Sequence, residues 1–181
     1  MSIIRWLGLD QKKPSTSAVE TETVRKIVDA LDQIEPERAK YVAGFAYLLG
    51  RVARADLRIS AEETRGMEQL VMERTGLPEE QAIMVVQMAK TQNTLFGSTE
   101  NYLVAREFGR ITTREQKLAL LDCLFAVSAA DGSISVVEDN EINQIATELK
   151  LEHEDIVRAR SRYRDYLAVL RKPSQSPPEV V

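Results

Sequence analysis

Leu121-Asp-Cys-Leu-Phe-Ala-Val-Ser-Ala-Ala-Asp-Gly-Ser-Ile-Ser-Val-Val-Glu138 is the stretch on which the fold turns. Its first half sets Leu121, Leu124 and Phe125 at the three- and four-residue spacing of a helix with one apolar face. Ala130-Asp-Gly132 breaks that period, and Gly132 supplies the left-handed residue that ends a helix. Ser135-Val-Val-Glu138 then has the spacing of a capping box, in which Ser accepts from the third backbone N–H and Glu reaches back to the cap N–H. The stretch therefore predicts a helix, a short turn plugged from beneath by Ile134, and a second helix.

The same pattern occurs 75 residues earlier. Ala55-Asp-Leu-Arg-Ile-Ser-Ala-Glu-Glu63 aligns with Ala130-Asp-Gly-Ser-Ile-Ser-Val-Val-Glu138, with Ile59 as the plug and Ser60 and Glu63 as the capping box. Leu49 falls on Leu124, Val52 on Val127, Gln69 on Gln144 and Glu73 on Glu148. Self-similarity at a fixed offset predicts two pseudo-symmetric helix-loop-helix units sharing one core.

Working outward, Val24, Ile27, Val28, Leu31 and Ile34 mark an opening helix that Pro36 ends while starting the next. From Glu37 to Ala55 the pattern is almost continuously apolar, which predicts a central helix. Further helices are expected over 60–75 with Met67, Leu70 and Val71 inward, stopped by Gly76, over 79–91 carrying Ile83, Val86 and Met88, and over a shorter segment with Tyr102, Leu103 and Phe108. A long helix capped at Thr112 or Thr113, one from Ser135 to Lys150, and a last one from Glu154 to Leu170 complete the set. No segment alternates as a strand would. The fold class predicted is all-α, a compact bundle of about seven to eight helices. Residues 21–170 form the helical domain, 1–20 an N-terminal amphipathic segment and linker, and 171–181, with three prolines, a disordered tail.

Composition narrows the function. The chain has 181 residues with 24 Lys and Arg against 28 Asp and Glu, a net charge of −4 that gives no general attraction to nucleic acid. One cysteine, Cys123, and one histidine, His153, exclude an internal disulfide and the usual Cys/His zinc sites. Cys123 reads as a core residue and His153 as a solvated residue at a helix start. Arg158, Arg160, Arg162 and Arg164 read as a solvated basic face, with an acidic-partner site as the alternative, because alternate residues on a helix point to different sides. No constellation of catalytic residues stands out, so the chain is read as a non-enzyme. Residues 1–9, with Ile3, Ile4, Trp6, Leu7 and Leu9, are too short to span a bilayer. They leave two readings, a short helix in the chain's own core or a weak interfacial foot on a membrane. The location expected is cytoplasmic, with attachment to the inner face of the membrane as the extension of the second reading.

The Asp131–Glu138 loop also has the spacing of positions 5 to 12 of an EF-hand, but positions 1 and 3 would be Val127 and Ala129, which offer no side-chain oxygen. What remains is a weaker divalent-cation site, for calcium or magnesium, formed by Asp56, Glu63, Asp131 and Glu138 if the two loops meet.

Residues 121–138, the following Glu141-Ile-Asn-Gln-Ile-Ala146 and the degenerate first copy resemble the TerB family of tellurite-resistance-associated proteins. More distantly they are similar to the TerB-like helical region of DjlA-type co-chaperones. The resemblance spans about residues 24–170. It implies a compact helical module in a bacterial stress response, with other proteins, among them membrane-associated stress-response components, as partners. It also implies a cation site in acidic loop residues, carried here onto Asp56, Glu63, Asp131 and Glu138. Leu57 and Arg58 depart from the pattern where Gly and a small residue are expected. The His-Pro-Asp signature of a J domain is absent from the chain.

Overall fold

The computed structural model describes residues 29, 31–53, 61–95, 101–130 and 132–170. Among them the chain forms α1 (Pro36–Ala53), α2 (Ala61–Thr75), α3 (Glu79–Leu95), α4 (Asn101–Ile111), α5 (Arg114–Ser128), α6 (Val136–Glu148) and α7 (His153–Arg162). Two 3-10 turns follow, Arg164–Tyr166 and Ala168–Leu170. The one β pairing among the described residues is an isolated parallel bridge between Ile134 and Leu167, so the fold is all-α as expected.

Helix α1 begins at Pro36, where the missing N–H costs nothing, and the Glu35 carboxylate accepts from the backbone N–H groups of Glu37 and Arg38. Those bonds lower the Glu35 pKa below the usual carboxylate value. Every residue from Tyr41 to Val52 is buried, and α1 packs against α3, α4, α5 and α6. A helix apolar on all sides is a core helix.

Arg51 is the one charge in that run. Its Nε donates to Glu141 at 2.7 Å and its Nη1 to Glu148 at 2.6 Å, both on α6. Burial alone would lower its pKa, but the hydrogen bonds it donates to Glu148 and Glu141, together with their charges, outweigh this and raise it. Arg51 thus ties the helix before the first loop to the helix after the second.

Some of the helix bounds recur at a fixed offset. Ala53 and Ser128 end their helices, and Ala61 and Val136 begin theirs, at the sequence offset of 75. After the second helix of each unit the offset drops to 74, so one residue is missing. Gly76 at φ +67° matches Lys150 at φ +58°, and the starts Glu79 and His153 keep that shorter spacing. The left-handed conformation is free for Gly76 but costs Lys150 about 1 kcal/mol.

Not every apolar residue of the expected helices faces the core. Ile83, Tyr102 and Leu103 are exposed; the buried faces are Ala82, Val85, Val86 and Ala89 on α3, and Val104, Ala105 and Phe108 on α4. The last helix stops at Arg162 rather than Leu170, because Tyr163 turns back onto the core. Its ring stacks on Phe125 at 5.6 Å between centroids, and its hydroxyl lies 3.3 Å from Asp122 Oδ1. Beyond it, Ile134 N–H donates to the Tyr166 carbonyl at 2.7 Å and Ala168 N–H to the Ile134 carbonyl at 2.9 Å. The segment after α7 therefore clamps the loop between α5 and α6.

Candidate functional site

That loop is the first candidate. Gly132 adopts φ +91°, and no atom lies near where its Cβ would be, so the backbone angle rather than space calls for glycine. Ile134 is fully buried, as the plug role requires. Both hydrogen bonds of the capping box are present: Ser135 Oγ accepts from Glu138 N at 3.2 Å, and Glu138 Oε2 accepts from Ser135 N at 2.8 Å. Thr113 and Gln116 form the same box at the start of α5.

Of the four residues expected to hold a cation, the structure places one side chain, Glu138, and gives one of its oxygens to the cap. Asp131 and Asp56, like Ile59 and Ser60, lie outside the described residues; Glu63 is in α2, with its side chain outside the description. Among the described residues no three acidic, Cys or His side chains gather as a cation site would need. Ser128, the last residue of α5, is buried and its Oγ has no hydrogen-bond partner among the described residues. An unmade bond of that kind costs about 1–3 kcal/mol.

The second candidate is a groove of about 320 Å³ between the end of α2, α5 and α7. It is lined by Arg74, Leu118, Ala119, Asp122, Asp155, Arg158, Ala159 and Arg162. Two carboxylates form its floor. Asp122 Oδ2 accepts from Arg74 Nη1 at 2.6 Å, while Oδ1 forms an ion pair with Arg162 Nη2 at 2.9 Å. Asp155 accepts from Arg114 Nη2 with both oxygens, at 2.7 and 2.8 Å. The aspartates are buried, whereas Arg74 is 40% and Arg162 57% exposed, so the guanidinium groups form a rim over a fixed base.

The basic run therefore divides by face, as the helix period requires. Arg162 meets Asp122 on α5, and Arg160 makes a bidentate pair with Asp139 on α6 at 2.7 and 2.9 Å. That hydrogen-bonded pair raises the Arg160 pKa. Arg158, Arg162 and Arg164 are exposed and Arg160 is half-buried against Asp139, so the expectation of a solvated surface is corrected for Arg160 alone. His153 is exposed at the first residue of α7, and Cys123 is buried in α5, as expected. Burial, reinforced by the Asp122 charge, pushes the Cys123 thiol up to about 12.

Sequence reasoning missed Asp122, Asp155 and Arg74. Asp122 had a usable signal, a charge inside Leu120-Leu121-Asp122-Cys123-Leu124, since a carboxylate in an apolar run demands a partner. Asp155 and Arg74 had none, because the partners lie 41 and 48 residues away.

A family model described as tellurite resistance protein TerB matches residues 42–161, which takes in the whole loop and all of the groove except Arg162. No curated protein and no solved structure matches the chain. The match covers about two thirds of the chain, and it falls on the helices whose loop motif carries the resemblance: the chain belongs to the TerB family.

Proposed function

We propose that this chain is a non-enzymatic TerB-type binding module in a stress response of the tellurite-resistance kind, and that protein partners, membrane-associated components among them, dock in the α2–α5–α7 groove. One observation carries the reading: a concave surface whose arginine rim is exposed while the aspartates beneath it are buried and paired. Groups positioned by a rigid base lose little freedom when a partner arrives. The chemistry nearby also favours binding over catalysis. Asp122 and Asp155 are engaged as acceptors for arginine, and a thiol with a pKa near 12 is not a nucleophile at neutral pH.

The test is to fill the groove without changing its charge. Ala119→Trp, with Leu118→Trp as a second variant, should fail to restore growth on tellurite in cells lacking this gene, with the melting temperature kept near that of the wild type. Restoration equal to the wild type by both folded variants would remove the groove from the function.

A second reading has one observation in its favour. Ser128 Oγ is a buried oxygen without a partner among the described residues, three positions before Asp131 in the sequence. A calcium or magnesium ion held by Asp131 and Glu138 would give that hydroxyl something to meet, and such ions take oxygen ligands. Glu138 keeps Oε1 for the purpose, since the cap uses Oε2.

A further inference from the structure

The charges of the groove specify more than a docking place. Four guanidinium groups, from Arg74, Arg114, Arg158 and Arg162, stand around two carboxylates, Asp122 and Asp155. Asp155 is taken by Arg114 and Asp122 is shared by Arg74 and Arg162, so the local balance is positive in a chain whose net charge is −4. Arg158 is exposed and has no hydrogen bond or ion pair from its side chain among the described residues; only its backbone carbonyl accepts, from Ser161 Oγ. It lies four residues before Arg162, a spacing at which like charges repel on a helix. Such a surplus, concentrated in a depression, focuses the field toward an incoming anion.

The donors are also free. Arg74 donates to Asp122 through Nη1 alone and Arg162 stands beside it as an ion pair at 2.9 Å, whereas each guanidinium carries five N–H donors. The hydrogen bond to Asp122 fixes the direction of the Arg74 fork, the Asp122 charge holds Arg162 close, and both keep N–H groups for a second carboxylate, the geometry in which Arg pairs are strongest. Leu118, Ala119 and Ala159 line the groove between these charges and offer apolar surface to the methylene stem of a glutamate. The volume, about 320 Å³, is at the low end for a ligand site and suits a few side chains rather than a helix or a duplex.

We propose that the groove recognises acidic side chains of a partner polypeptide, with Arg158 as the residue that engages them and Arg74 and Arg162 held beside it by Asp122. This inference rests on the groove's being the docking site, and it adds the partner's chemistry.

Fluorescence anisotropy with a labelled hexaglutamate peptide and the full chain at low salt tests it. Hexaglutamate should bind, and added salt should weaken it, while hexalysine should not bind. Arg158→Glu should weaken hexaglutamate binding about tenfold, the loss expected for one charge-assisted contact. Arg65→Glu, exposed on α2 and two and a half turns from Arg74, should leave binding unchanged. Absence of hexaglutamate binding by the wild-type chain, or equal binding by Arg158→Glu, overturns the inference. If Ala119→Trp still abolishes growth on tellurite in that event, the groove serves a partner of other chemistry and the docking reading survives.

Discussion

Replacing Arg51 with methionine removes a charge that two carboxylates were folded to meet. The Arg51 side chain is 1% exposed, Glu148 is 10% and Glu141 is 27%. With the guanidinium gone, Glu141 can turn toward water, so its share of the loss is small. Glu148 retains one donor, Gln144 Nε2 at 2.9 Å, but loses the 2.6 Å bond that compensated its burial. Breaking a buried pair from one side costs about 3–5 kcal/mol, and the escape of Glu141 places Arg51→Met at the lower end, about 3 kcal/mol. Removing the carboxylates as well, in Arg51→Met/Glu141→Gln/Glu148→Met, should return stability to within about 1 kcal/mol of the wild type, because an apolar replacement of a whole buried set is often neutral. Urea denaturation at neutral pH measures both, read from the midpoint with an unchanged m-value. A single variant as stable as the wild type would refute the argument. A triple variant no better than the single would also refute it, by showing that volume rather than charge governs the site.

Three further outcomes concern the loop and the chain's start. Ser135→Ala should cost about 0.5–2 kcal/mol with or without calcium, since both capping-box bonds are formed by protein atoms alone; a cost that appears only with calcium would contradict this. If the cation reading of the loop holds, millimolar calcium or magnesium raises the melting temperature of the wild type and not of Asp131→Asn, and a flat response in both removes that reading. Deleting residues 1–9 should abolish weak association with liposomes if they are an interfacial foot. Lost thermal stability in a chain that never bound lipid would assign them to the core instead.

The helices and the loop were legible because their signals are local. The apolar period of 121–127, Gly132 and the Ser135–Glu138 spacing each act within a few residues, and the helix bounds at that loop, Ser128 and Val136, follow from them. The end of the last helix was not legible. No Gly or Pro stops the chain at Arg162; the stop comes from Tyr163 packing on Phe125 and reaching Asp122, residues some forty positions away. Tyr102 and Leu103 look like core residues by type, yet α4 buries Val104, Ala105 and Phe108 and turns those two outward. The groove was the least legible feature. Arg158 to Arg164 could be seen as a basic run, but which of those arginines are spent on aspartates depends on how α5, α6 and α7 pack.

The central claim is that partners of this TerB module are met by the groove and its arginines. Amide chemical-shift mapping of the isotope-labelled chain, titrated with hexaglutamate, tests this most directly. The account predicts that the largest shifts fall at Arg74, at 118–122 and at 155–162, and that they vanish in Arg158→Glu. Shifts centred on the loop at 132–138, or spread evenly over lysines and arginines elsewhere on the surface, would contradict it.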